Sequence, residues 1–200
     1  MIKVIVTFFI IIGFSACSIK DVSKPVVKYT ISDEIKTIKA DLTIDKVLEI
    51  EKLKAPKSIQ NNHIWYEKAT YAISPYLYSS WNCDFVEIID KNIADSVYSS
   101  GLFKSTFSNH SKVRSDLVLE GEIVEAIQRI DTNGEAYVSF IVREYLIDHK
   151  TFNLIGSKEF KYTQKCETVD AKGAIMAYNK IVKKLNKDVV LWLKILVKES

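Results

Sequence analysis

Residues 117–147 read LVLEGEIVEAIQRIDTNGEAYVSFIVREYLI, and the fold turns on this stretch. Apolar and polar residues alternate over much of Leu117–Ile130, which puts Leu117, Leu119, Ile123 and Ile127 on one expected face. That period of two is the mark of a half-buried strand. Asp131-Thr132-Asn133-Gly134 interrupts it, and Asn-Gly suits the positive φ angles of a tight hairpin turn. Glu135–Ile147 returns with Ala136, Val138, Phe140, Val142 and Leu146 facing one way. Asp148–Asn153 turns again, and Leu154–Tyr162 makes a third strand. The segment is an antiparallel meander.

Working outward, two stretches change to helical period. Phe85, Ile88, Ile89, Ile93 and Val97 form a stripe that predicts a helix over Asn82–Ser99, capped by Ser80 or Asn82 and ended by Gly101. Asp170 opens a second helix to about Lys198, with Ile175, Tyr178, Val182, Leu185, Val189, Trp192 and Leu196 in register. Its last turns, Val189–Val197, are apolar except for Lys194. They either pack across the sheet or offer a protomer or lipid contact at that end. Shorter strands are expected at Val26–Ile31, Val47–Leu53, Ile64–Glu67, Thr70–Ser74 and Phe103–Phe107. Together these predict an α/β fold of the α+β sandwich type. Its sheet is mixed and largely antiparallel, with a central helix and a long C-terminal helix packed on one face, all within one domain over 29–200.

The N-terminus reads as an address. Met1-Ile2-Lys3 gives a positive start, and Val4–Phe14 is a mostly apolar run spanning about 16 Å as a helix, roughly half a bilayer core. It is a signal h-region, not a membrane span. Phe14, Ser15, Ala16 and Cys17 follow as a lipobox. A bulky residue and two small ones fit a signal peptidase, and the Cys17 thiol takes the diacylglyceryl group. Residues 1–16 are then the signal peptide and 17–28 a lipidated tether. Fatty acyl chains, palmitate among them, each add about 0.8 kcal/mol per buried CH₂ and would hold the protein on a membrane. Ser18, where Asp would retain a lipoprotein in the inner membrane, points to the outer membrane facing the periplasm.

Composition sets limits. With 48% apolar and 26% charged residues, and only 6 Gly and 3 Pro, the chain is neither disordered nor collagen-like. A net charge of +3 is too balanced to argue for nucleic acid. His63, His110 and His149 lie far apart in polar loops, with no HExxH, CxxC or Gly-rich phosphate loop. No GxSxG elbow is present, and Glu120 and Glu122 read as the wet face of a strand. No catalytic residue, metal or cofactor is expected. Cys83 and Cys166 either pair as a disulfide in an oxidising compartment or stay reduced. The aromatic cluster Trp65, Tyr66, Tyr71, Tyr76, Tyr78 and Trp81, like Trp192, either packs in the core or contacts a partner or lipid.

Several segments, taken in order, resemble the auxiliary lipoproteins of ABC-type lipid transport systems, the group of the PqiC/YmbA lipoproteins. They are the lipobox, Lys28-Tyr29-Thr30-Ile31, Val47-Leu48-Glu49-Ile50, Ile64-Trp65-Tyr66 and Tyr78-Ser79-Ser80-Trp81. Ser100-Gly101-Leu102-Phe103 and Leu117-Val118-Leu119-Glu120-Gly121-Glu122-Ile123 continue the series, which closes with Gly134, Ala136, Val138, Phe140, Leu146 and Asp148. Asn82-Cys83-Asp84 departs from it, where a small residue and Pro are common in the family. The resemblance implies a small α/β sandwich without catalytic residues, working beside an MCE-domain protein, an ABC permease and an ATPase to move phospholipid or another lipophile. A homo-oligomer is compatible with it. The rival expectation is an outer-membrane lipoprotein activator of a peptidoglycan synthase. A tether of about ten residues, reaching at most roughly 35 Å, is short for that role.

Overall fold

The structure is a computed structural model that describes residues 24–32, 39–108 and 113–199. The signal peptide, the lipobox with Cys17 and the first part of the tether lie outside the described residues, as does His110. The element order is β1 (Val27–Tyr29), β2 (Ile44–Ile50), β3 (His63–Lys68), β4 (Ile73–Trp81), α1 (Phe85–Ser100), β5 (Phe103–Ser108), β6 (Leu117–Ile130), β7 (Ala136–Asp148), β8 (Leu154–Lys165) and α2 (Ala171–Glu199).

All eight strands join one mixed sheet with β6 as its branch point. Along one edge β6 pairs antiparallel with β7, from Leu117 opposite Asp148 to Ile130 opposite Ala136, and β8 continues the meander. The other edge is shared: β2 pairs parallel with Leu117–Leu119, and β3 pairs parallel with Gln128–Ile130. Outside β2 lies β5, parallel to it, while β3 carries antiparallel β4 and then parallel β1. The meander thus supplies most of the ladder, and the parallel pairings are short.

Both helices cover one face. Phe85 of α1, Tyr178 of α2 and Phe140 of β7 meet edge to face, with centroids 5.2–6.0 Å apart. The expected inner residues of β7, namely Ala136, Val138, Phe140, Val142 and Leu146, are all buried in this core. Strand β6 departs from expectation. A bulge between Ile123 and Glu125 inserts Val124 without a partner. An extra residue reverses the alternation beyond it. Leu117, Leu119 and Ile123 therefore join the helix-covered core, whereas Ile127, though buried, lies outside it.

Helix α1 begins at Phe85 rather than Asn82, because the Asp84 carboxylate accepts from the Val86 N–H at 2.8 Å and fixes the cap there. Gly101 ends it with φ 68°, in the left-handed region that favours glycine. Asp170 caps α2 as expected, its carboxylate accepting from the Gly173 N–H at 2.8 Å. In the apolar last turns Val189, Val190, Trp192 and Leu193 are buried, so most of that surface is packing, with Leu191 and Ile195 exposed. The two short strands expected at Ile64–Glu67 and Thr70–Ser74 are instead the hairpin β3–β4, whose turn occupies 69–72. Pro75 sits inside β4 opposite Trp65. Proline is tolerated where one side of a strand lacks a neighbour, and β1 pairs only with Ser79–Trp81.

Candidate functional site

The aromatic cluster of β3–β4 divides between inside and outside. Trp81 is 2% exposed and packs against Phe85 and Tyr178 at 5.0 and 5.5 Å, so it is a core residue and not a contact for partner or lipid. Trp192 is corrected in the same way: it is buried against Phe160, edge on at 5.9 Å. Tyr66 and Tyr76 pack at a tilt with ring centroids 4.7 Å apart, both half-buried. The Tyr76 hydroxyl donates to Gln128 Oε1 at 2.5 Å, and burial pushes its phenol well above the usual range. Trp65 is half-buried, its indole N–H donating to Asn61 Oδ1 at 3.3 Å. Tyr71 and Tyr78 are exposed.

Where β6 has passed beyond β2 and β3 has only begun to pair, a groove of about 500 Å³ opens. Pro56, Ile59, Trp65, Ile73 and Ile127 give it an apolar lining. The Val124 bulge turns Ile127 into it, which is why unbroken alternation from Leu117 misplaced that residue on the face of Leu117, Leu119 and Ile123. At the rim the Arg129 guanidinium donates to both Glu125 oxygens at 2.7 and 2.9 Å and to Glu67 at 3.0 Å. This fork holds the Glu125 carboxyl below its usual range despite partial burial.

A second polar cluster joins β2, the start of β6 and the β7–β8 turn. Buried Ser115 donates to Glu49 Oε2 at 3.0 Å and hydrogen-bonds to His149 Nδ1. In a nucleophilic relay the acid and the nucleophile bind opposite ring nitrogens of the histidine. Here Glu49 lies 3.9 Å from the same Nδ1 that Ser115 occupies, so the three groups are not in relay order. Among the described residues no group of His, Cys, Asp or Glu could hold a metal ion.

One buried acid escaped the sequence reading. Glu144 occupies an inner position of β7, opposite Gly121, and is 1% exposed. Burial, with the Asp90 charge adding to it, holds its carboxyl well above the usual carboxylate range, and Oε1 has no hydrogen-bond partner. Gly121 makes the room, since a Cβ there would lie 2.6 Å from Glu144 Oε2 and from Leu53 Cδ2. The signal was present in the sequence: Glu144 is the charged residue in the stripe Ala136, Val138, Phe140, Val142, Leu146. The two thiols are free and differently placed. Cys83 is exposed beside Asn82, while Cys166 is buried and accepts from Gln128 Nε2 at 3.4 Å, so the disulfide considered from sequence is not formed.

No family model and no curated protein matches the sequence significantly. Solved structures share the fold. A Xanthomonas campestris protein described under DUF330 aligns with a TM-score of 0.72 at 14% identity, covering 88% of this chain and 95% of that one. An uncharacterized protein aligns at 0.63 with 11% identity, over 84% and 99% of the two chains. A hypothetical protein of Chlamydia trachomatis aligns at 0.56 with 12% identity, over 78% and 100%. At such identities the likeness establishes fold: the chain has the α/β architecture seen in a DUF330 protein. Among the described residues no helix is long and apolar enough to cross a membrane.

Proposed function

We propose that this chain is a lipoprotein of the outer membrane, anchored through Cys17, that serves as a non-catalytic auxiliary subunit of an MCE-type, ABC-driven lipid transport system. It docks the periplasmic end of the transporter, moving phospholipid or a similar lipophile. The observation that carries the reading is the conjunction of a lipobox with the ordered motifs that follow it in the sequence. A fold shared with a DUF330 structure over 88% of this chain supports it. Of the five aromatic residues expected to make contacts, Trp65, Tyr66 and Tyr78 keep accessible surface, whereas Trp81 and Trp192 are in the core.

The test is in-cell crosslinking followed by affinity capture of the full chain and mass spectrometry. MCE-domain, permease and ATPase subunits are expected in the captured set. Recovery of none of them overturns the transport role, and recovery of a peptidoglycan synthase in their place favours the rival activator.

A further inference from the structure

The β1–β4 edge of the sheet carries a row of exposed apolar residues. Val26 and Val27 are each 50% exposed, Ile73 58%, Leu77 76%, Tyr78 51% and Tyr71 86%. One fact sets the row apart from scattered surface apolar residues, which are ordinary: the N-terminal chain comes in at the row itself, with Lys24 Nζ 5.8 Å from the Tyr78 ring centroid.

We propose that this edge lies against the bilayer that holds the anchor, with Tyr71, Leu77 and Tyr78 entering the headgroup region. The proposal rests on acylation of Cys17. Lys24 follows Cys17 by seven residues, so even a fully extended connection keeps Lys24 within about 25 Å of the acylated sulfur. An edge tied that close meets the membrane often, and Tyr combines an apolar ring with a hydroxyl suited to the interface. Charge agrees. Exposed Lys24, Lys28 and Lys68 border the row and match anionic headgroups. Of the acids beside it, Glu67 is paired with Arg129, and the carboxylate of Asp131 accepts from the Asn133 and Glu135 N–H groups. A second copy of the chain is a poorer occupant, because a two-fold pairing of these edges would bring the same lysines toward one another.

The test uses the full lipidated chain with Cys83→Ser, which removes the exposed thiol. An environment-sensitive label is placed through Leu77→Cys or, in a separate protein, through Leu154→Cys on β8, the opposite edge of the sheet, where Leu154 is likewise 58% exposed. In phosphatidylethanolamine–phosphatidylglycerol vesicles containing doxyl lipid, the label at 77 is expected to be quenched several-fold more than the label at 154. Adding Tyr71→Ser and Tyr78→Ser should reduce that difference. Equal quenching at the two positions overturns the proposal. So does an unquenched label at 77 that crosslinks to its own copy. The mass of the Cys17 peptide separates the two readings: a bare sulfur sinks the anchor and this surface together, whereas acylated Cys17 with position 77 unquenched sinks only the surface.

Discussion

The meander β6–β8 and the hairpin β3–β4 are both antiparallel and both rich in aromatic and β-branched residues, yet they end in different environments. The meander lies under α1 and α2, and the inner residues of β7 disappear into the core. The hairpin gives Trp81 to that core and leaves Tyr71, Ile73, Leu77 and Tyr78 in solvent. Composition does not separate the two regions; coverage by a helix does. Within the covered region the one acid, Glu144, is tolerated only because Gly121 opposite it has no side chain.

The contrast is sharpest in a pair of aromatic deletions. Trp81→Ala removes a fully packed ring and should cost about 3–5 kcal/mol in urea unfolding, while Tyr78→Ala should stay within about 0.5 kcal/mol. Similar losses for both would mean that the hairpin edge is as well covered as the core. Next in size is Gly121→Ala. The added methyl would meet Glu144 and Leu53 at 2.6 Å, for which overpacking costs about 1–3 kcal/mol, measured by the same denaturation.

The third prediction concerns pH. Glu144 keeps its proton in the fold to a higher pH than in the unfolded chain, whose carboxyl ionises near 4.3. Its contribution is therefore complete below about pH 4.3 and declines as pH rises toward the folded value, by up to about 1.4 kcal/mol per pH unit. Glu144→Gln, which cannot ionise, should lose this decline. The stability of the variant relative to the parent should climb as pH rises above about 4.3, and parallel pH profiles would show that Glu144 is not the titrating group.

Much of this architecture was legible because its signals are local. The Asn133-Gly134 turn, the alternation of β7 and the stripes of both helices each depend on near neighbours, and the structure keeps them. What sequence missed depends on partners far along the chain. A single inserted residue at Val124 sends Ile127 to the groove, and no local pattern announces a bulge. The strand expected at Thr70–Ser74 stops short of Pro75, whereas β4 runs through it, and that tolerance depends on a neighbour missing from one side of β4. The fates of Trp81 and Tyr78, three residues apart, were set by α1 and α2, which fold over one and not the other. The groove itself arises from two strands meeting β6 at different places, a feature of topology alone.

That shared edge of β6 has a consequence for the order of assembly. β2 and β3 are remote from β6 in sequence and draw their register from separate ends of one strand, whereas β6 and β7 are joined by five residues. Neither wing can join the sheet until β6 is extended, so the β6–β7 hairpin belongs early in the pathway and the docking of the wings late. In stopped-flow kinetics, Val138→Ala should chiefly slow refolding and Ile50→Val should chiefly hasten unfolding. The reverse pattern would mean that a wing nucleates the chain.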